Sequence, residues 1–399
     1  MKILHVITST NPAHGGPVEV AVRFGEAHAR LGHHSEIVCI DPPDAPWLSR
    51  LSLPVHPLGP GTRKYSYSGR LVPWLKDHRD DFDAVVLHGV WDYSTFGGWR
   101  GLRGGRTPYV IFPHGMLDPW FRQTYPLKHA AKQLYWLAAS GRVMRDAGAV
   151  LFTNEEERRL AQGCFFGYPY RERVVAFGTA DVGGEAEQQL AAFRLALPKL
   201  EGRRFFLFLS RIHPKKGCDL LIKAFQRHAA ANPDVDLVIA GPDQTGWKSE
   251  LTTLATSLGL ADRIHWPGML AGDAKWGAFR AAEAFILPSH QENFGIVVAE
   301  AMACGRPVLI TDKVNIWREV EASGAGFVAP DTEAGIDQLL GRYLALVPGN
   351  RDEMAKRARS AFLKEFEIGA AANDLIGALE SVIAGQARLQ ARGYDGRSL

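Results

Sequence analysis

The stretch AFILPSHQENFGIVVAEAMACGRPVLI, residues 284–310, decides the fold. A short apolar run, Ala284–Leu287, is followed by a polar loop. A helical segment then begins near Asn293 or Phe294 and runs to Ala303. Gly305 turns the chain, and a second apolar run, Val308–Ile310, closes the unit. Neither run alternates with polar residues, as expected of strands buried on both faces, and two such runs joined through a helix predict parallel neighbours.

The pattern repeats in both directions. Downstream and upstream in the same half, runs at Phe205–Leu209, Leu237–Ala240, Ile264–Trp266 and Gly326–Val328 alternate with helices predicted near Cys218–His228 and Glu333–Leu346. An earlier set lies at Ile3–Ile7, Ser35–Ile40, Ala84–His88, Tyr109–Phe112, Ala149–Phe152 and Val174–Phe177. The first helix places Val18, Ala21, Val22, Gly25 and Ala29 on one face, with Gly32 after its end as a cap. The expectation is an α/β protein of two doubly wound domains, since 399 residues exceed what one core usually organises. The first domain is placed at 1–180 and the second at 205–362. Between them, 181–204 carries Gly183-Gly184 and a Gln- and Glu-rich tract that suits a linker. Residues 363–399 form a helical segment expected to cross back to the first domain.

Composition bounds the function. A hydrophobic share of 46% and a charged share of 22% belong to a globular chain and argue against disorder. A formal charge of +3 calls for no nucleic-acid partner. The four cysteines stand far apart, so neither a zinc site nor a disulfide framework is expected, and a reducing cytoplasm fits. The opening MKILHVITST has too short an apolar run for a signal peptide and reads as a first strand. Between Arg100 and Arg145 there are eight basic residues and one acid, Asp118. That surface suits an anionic acceptor or an acidic lipid leaflet, although solvated helix faces give the same pattern.

In doubly wound sheets ligands bind beyond the carboxyl ends of the strands, so the following loops carry the candidates. After the first strand, Gly15 and Gly16 precede a helix and would let amides approach a phosphate; as a pair without a further glycine pattern they also suit a plain turn. After Leu209 come Ser210-Arg211-Ile212-His213-Pro214-Lys215-Lys216-Gly217, which set cations at a strand end. Arg211 and Lys216 there could stabilise a diphosphate as it departs. Glu292 and Glu300 are separated by eight positions, about 80° of helical rotation, so both can reach one extended ligand. The amides of Phe294, Gly295 and Ile296 at the predicted helix start suit phosphate oxygens. Glu300 sits in an otherwise apolar helix, where an unpaired acid is costly, and could hold ribose hydroxyls. Two Asp-x-Asp triplets, Asp81 to Asp83 and Asp234 to Asp236, read as turn acids at the amino ends of strands, so no metal site is expected. Asn154 reads as a helix N-cap with Glu157 in the capping-box position.

The segment from Glu292 to Glu300 resembles the E-x7-E signature of retaining glycosyltransferases of the GT-B fold, family four of the sequence classification. Gly15-Gly16, Ser210-Arg211 to Lys216-Gly217, Ala240-Gly241, the Gly268 loop and Gly305-Arg306-Pro307-Val308 follow in the family's order, over nearly the whole chain. The resemblance implies two Rossmann-like domains facing each other across a cleft that binds a nucleoside diphosphate sugar, with no other cofactor and no metal. By the same resemblance Arg211 and Lys216 hold the diphosphate, Glu292 the donor sugar and Glu300 the ribose. Gly15, Gly16, Gly241, Met269, Asn293, Phe294, Gly295 and Ile296 complete the donor site. His114, in Phe112-Pro113-His114-Gly115-Met116, is implied as the first-domain residue at the donor sugar. His88, in Leu87-His88-Gly89, occupies a similar strand end and is a weaker candidate for touching acceptor.

The family's usual pair of glycines near Val308 is replaced by Asp312-Lys313-Val314-Asn315-Ile316-Trp317, and its Pro-Asn-Gly turn by Phe177-Gly178-Thr179-Ala180. The implied acceptor is a glycan or lipid-linked glycan, and the implied process is polysaccharide biosynthesis. The basic and aromatic segment with Trp120, Phe121, Tyr125, Lys128, Tyr135 and Trp136 fits peripheral docking at the inner face of the plasma membrane. Two other readings remain open at this point: a sugar-nucleotide epimerase of the same architecture, and a non-catalytic sugar-nucleotide-binding scaffold in a polysaccharide assembly complex.

Overall fold

A computed structural model describes residues 1–12, 16–62 and 65–391. The chain divides into two compact units, one formed by Met1–Phe177 with the helix from Ile368, the other by Gly178–Glu367.

Among the described residues the first unit is built on seven strands: β1 (Lys2–Val6), β2 (His34–Cys39), β3 (Val55–Pro57), β4 (Ala84–His88), β5 (Tyr109–Phe112), β6 (Ala149–Phe152) and β7 (Glu172–Val174). All pair in parallel, in the order β3-β2-β1-β4-β5-β6-β7. The order reverses between β1 and β4, and in such sheets ligands bind beyond the carboxyl ends of the strands at the reversal. Every residue of β4, β5 and β6 is buried, the physical reason those runs read as uninterrupted apolar sequence. The helix Gly16–Arg30 buries Val18, Ala21 and Phe24 and ends before Gly32, which takes φ +78°. The long helix Ile368–Ala391 packs on it, and Asp374 accepts the Ala176 amide at 2.9 Å.

The second unit has six parallel strands: β8 (Arg204–Leu209), β9 (Val235–Ala240), β10 (Ile264–Gly268), β11 (Ala284–Leu287), β12 (Val308–Thr311) and β13 (Gly326–Ala329). Their order is β10-β9-β8-β11-β12-β13, so the reversal falls between β8 and β11.

Several boundaries differ from expectation. The last strand of the first unit is Glu172–Val174 rather than Val174–Phe177, because the segment that pairs with β6 is the polar edge and the apolar residues after it pack below. The tract 181–204 is not an irregular linker. It holds the helix Ala186–Ala196, which buries Gln189 and Phe193 against the helix Gly272–Ala281 so closely that a Cβ on Gly277 would meet the Gln189 carbonyl at 1.9 Å. The terminal helical region is interrupted, with a π-turn at Phe362–Phe366 and extended backbone at Glu367 before Ile368.

Candidate functional site

In the second unit the loops after β8, β11 and β12 converge at the point where the strand order reverses. Three backbone bonds tie them. His290 donates to the Lys215 carbonyl at 2.8 Å, Glu292 donates to the Lys313 carbonyl at 2.9 Å, and Asn315 donates to the Glu292 carbonyl at 3.0 Å. The loop after β8 tightens into a short 3₁₀ turn, Pro214–Lys216, whose first free amide, Lys215 N–H, is taken by His213 Nδ1 at 3.1 Å. Gly217 then adopts φ +65°, and a Cβ there would lie 2.2 Å from the Pro288 carbonyl oxygen. Glycine is required at this position because two loops cross.

That crossing brings Lys216 against Glu292, where its Nζ pairs with Oε2. Lys216 is buried and Glu292 partly so, while Arg211 is exposed and its Nη1 lies 3.4 Å from Gln244 Oε1. Burial first, and then the cations of Arg211, Lys215 and Lys216, hold the His213 imidazole below its ordinary range. The loop is therefore a place of positive potential that suits an anion.

The helix after β11 is Ile296–Ala303, shorter than the expected start near Asn293. Gly295 precedes it at φ +75°, and Phe294 is buried against Phe366 with ring centres 5.8 Å apart. The Phe294 and Gly295 amides thus lie in the loop rather than in the first turn. Asn293 belongs to the same loop. Glu300 is 1% exposed, and its Oε1 receives Lys275 Nζ at 2.7 Å from the helix Gly272–Ala281. Lys275 went unread in the sequence, because nothing local links it to a carboxylate on another helix.

Gly241 takes φ +143° and bonds the Gly268 carbonyl at 2.8 Å. A Cβ there would meet the Ser210 carbonyl oxygen at 1.8 Å, so the close approach of the two loops already demands glycine. Met269, just beyond β10, is 71% exposed.

In the first unit, Gly15 lies outside the described residues, and Gly16 is the exposed first residue of its helix. The loop after β1 is pinned to the end of β2 by Asp41, which accepts Ser9 Oγ and the amide and hydroxyl of Thr10 at 2.6–2.7 Å. His114 follows β5 in the left-handed region at φ +53°, a conformation that persists only where surroundings impose it. Glu157 imposes it. This buried carboxylate accepts the Gly115 amide at 2.6 Å with Oε1 and the Thr153 amide and hydroxyl at 2.8 Å with Oε2. Asn154 caps the same helix by accepting the Glu157 amide at 2.7 Å.

The ring of His114 stacks on His88 and Phe112. His88, expected as a candidate to touch acceptor, is buried instead, its Nδ1 2.8 Å from His114 Nε2 and its Nε2 2.9 Å from His5 Nδ1. It can act only through its neighbours. Burial lowers His5 and His114 to about 3 and His88 well below its ordinary value, so all three rings are neutral near pH 7.

Of the two acidic triplets, Asp83 accepts the Lys2 amide at 2.7 Å as a turn acid does. Asp236 does not fit that description. It lies inside β9, buried, and is bound by Arg203, Arg263 and His265 at 2.6–2.9 Å, which makes it the centre of a structural charge network.

Two parallel sheets, each reversing its strand order, with a cationic loop paired to Glu292 and a second carboxylate, Glu300, paired to Lys275, suit an anionic, polyhydroxylated ligand. Residues 192–361 match the model of glycosyl transferases group 1 and residues 15–178 that of a glycosyl transferase 4-like domain, and the chain belongs to the group 1 glycosyltransferases. It is 30% identical over 224 residues to a D-inositol 3-phosphate glycosyltransferase of Actinosynnema mirum, covering 54% of this chain and 53% of that one. The chain thus spans about half the length of that curated relative. A GDP-mannose:cellobiosyl-diphosphopolyprenol alpha-mannosyltransferase of Xanthomonas oryzae pv. oryzae is 27% identical over 378 residues, 92% of this chain and 93% of that one. Among solved structures, Anabaena HepE in complex with UDP and glucose superposes with a TM-score of 0.74 at 19% identity, over 96% of this chain and 100% of that one, and so shares the GT-B fold.

Proposed function

We propose that this protein transfers a hexosyl group from a nucleoside diphosphate sugar to a hydroxyl of a growing glycan, with retention at the anomeric carbon and without a metal. The observation that carries the reading is the convergence of three loops at the β8–β11 reversal, with Lys216 paired to Glu292 and Arg211 exposed beside them. An ammonium has three N–H donors, so Lys216 can bind Glu292 and still offer two to a diphosphate. Arg211 adds a planar fork suited to phosphate oxygens. Both stabilise charge that grows as the bond to the anomeric carbon breaks, and losing one such donor costs about 3 kcal/mol of transition-state stabilisation.

In this reading Glu292 orients sugar hydroxyls, the Asn293 to Ile296 backbone takes phosphate, Gly241 and Met269 border the nucleoside, and Glu300, neutralised by Lys275, holds the ribose. By the resemblance of their motifs, Gly15 and Gly16 are assigned to donor binding, and His114 touches the donor sugar. Retention rests on the resemblance of the Glu292 to Glu300 segment, and no covalent nucleophile is assigned.

For the acceptor, the alpha-mannosyltransferase relative supports a glycan on a lipid diphosphate and hence a place in polysaccharide biosynthesis. The helix Pro126–Tyr135 leaves Leu127 and Leu134, seven positions apart and so on one face, 87% and 70% exposed, while Lys128 lies 4.7 Å over the Tyr125 ring. Apolar side chains flanked by cations support peripheral docking at a cytoplasmic membrane face.

The reading is tested by a thermal-shift and hydrolysis screen against GDP-, UDP-, ADP- and TDP-sugars. One donor should raise the melting temperature and be slowly hydrolysed, and silence with all four would sink the proposal. Co-sedimentation with anionic vesicles should weaken on charge reversal at Arg122, Lys128 and Lys132. Indifference to that change would remove the membrane part.

A further inference from the structure

We propose that His88 and His5 are positioning residues that fix the tautomer of His114, so that it offers substrate a hydrogen-bond donor, Nδ1–H, and not a basic lone pair. The inference rests on the reading that His114 touches the donor sugar.

Three imidazoles run in series from β1 through the end of β4 to the turn after β5. Their contacts are His5 Nδ1 to His88 Nε2 at 2.9 Å and His88 Nδ1 to His114 Nε2 at 2.8 Å. Burial keeps all three neutral, so each ring carries one N–H, and each contact needs one proton. Three protons shared among three rings and two contacts leave one proton over, and it must sit at an end of the chain. All the N–H groups therefore point the same way, and only two arrangements exist.

In one arrangement the protons point toward β1. His114 Nε2–H donates to His88, His88 Nε2–H donates to His5, and His5 carries its proton on Nε2. That nitrogen is buried, in a residue 0% exposed, and has no hydrogen-bond partner among the described residues. In the other arrangement the protons point toward the turn. His5 Nδ1–H donates to His88, His88 Nδ1–H donates to His114 Nε2, and the remaining proton sits on His114 Nδ1. His114 is partly exposed, and no described residue takes up this nitrogen. A buried N–H with nothing to bind is much rarer than an unfilled lone pair, so the second arrangement is the stable one.

The consequence is chemical. A His114 with Nδ1–H outward cannot accept a proton from an attacking hydroxyl at that atom, but it can hydrogen-bond an oxygen of the sugar. The αL turn, held by Glu157 through the Gly115 amide, fixes where that donor points.

Two measurements test this. Long-range proton–nitrogen NMR on the unliganded wild-type chain should show His114 protonated at Nδ1 and His5 at Nδ1. Protonation of His114 at Nε2 would overturn the proposal without any substrate being added. His88→Asn keeps an N–H donor near the Nδ1 position, whereas His88→Leu removes it. The Leu variant should show a mixed His114 tautomer and lose about tenfold in kcat with little change in donor KM, the worth of roughly one hydrogen bond in the transition state. The Asn variant should restore both tautomer and rate. If His88→Leu does not fold, His5→Leu against His5→Asn asks the same question one ring further away. Equal rates and unchanged tautomers across either pair refute the relay. A His114→Ala variant that transfers sugar normally would instead refute the placement of His114 at the donor, and the tautomer result would stand.

Discussion

Lys216 reaches Glu292 across 76 residues of sequence, from the loop after β8 to the loop after β11, and the pair bridges the point where the second sheet reverses its strand order. A buried ammonium and a carboxylate that remains partly open make an arrangement in which neither can be removed alone without consequence.

Lys216→Met should therefore lower kcat/KM for donor by about 100- to 1,000-fold, the range seen for loss of one transition-state donor. It should also weaken the protein by leaving Glu292 without its cation. Glu292→Gln retains shape but leaves the more deeply buried ammonium without its counter-charge, and should cost at least as much stability. A double-mutant cycle on kcat/KM should show strong coupling, and additive losses would mean that the two residues act independently.

Lys275 and Glu300 form a second pair, and here the acid is fully enclosed. Lys275→Met removes the cation from a carboxylate enclosed in the apolar helix Ile296–Ala303 and should cost about 3–5 kcal/mol. Replacing both, with Lys275→Met and Glu300→Leu, should recover most of that stability while donor affinity stays low. Denaturant unfolding of the three variants checks the first claim and nucleotide titration the second. Restored affinity in the double variant would show that Glu300 has a structural role alone.

The doubly wound plan was legible because β4, β5, β6, β9 and β11 are buried along their whole length and, apart from His88 at the end of β4 and Asp236 in β9, read as apolar runs. The edge strand Val55–Pro57 is three half-buried residues ending in proline, too short to carry a period. The helix Ala186–Ala196 escaped because its exposed face is rich in Gln and Glu and its buried face shows only Gln189 and Phe193. Glu292 and Lys216 could be singled out because each lies beside a strand end, but their contact could not be. Glu157 looked like a capping acid, and its bond to Gly115, 42 residues away, is a tertiary fact with no local trace.

Glu157 is accordingly where a change should separate folding from turnover. Glu157→Gln replaces a carboxylate that accepts three hydrogen bonds with an amide that must donate at one side. The Gly115 or Thr153 amide then loses its acceptor, at about 1–3 kcal/mol. With the turn less firmly held, His114 should leave φ +53° part of the time. The expected result is a fall in kcat with nucleotide affinity unchanged, since the second unit is untouched. Equal losses in affinity and turnover would refute the assignment.

The histidines of the first unit also predict its response to acid. His5, His28 and His88 are buried, and burial above all lowers His5 to about 3 and His28 to about 4, with His88 held well below its ordinary value. Unfolded, each would titrate near 6.5. Above that pH neither state binds the extra protons, and the stability of the folded unit is at its full value. As pH falls below about 6.5 the unfolded chain gains protons that the folded unit refuses, and each histidine removes up to about 1.4 kcal/mol per pH unit until its folded value is reached. These three alone tilt stability by up to about 4 kcal/mol per unit, and His114, also lowered to about 3, adds to the slope, enough to open a domain of ordinary stability before most carboxylates titrate. Peptide-resolved hydrogen exchange, corrected for intrinsic rates, should show β1 and β4 losing protection between about pH 7 and pH 5. In the second unit β8 and β11, which carry no buried histidine, should change far less. His28→Gln should remove one share of the slope, and protection of β1 that is flat across this range would show that these rings are not held neutral.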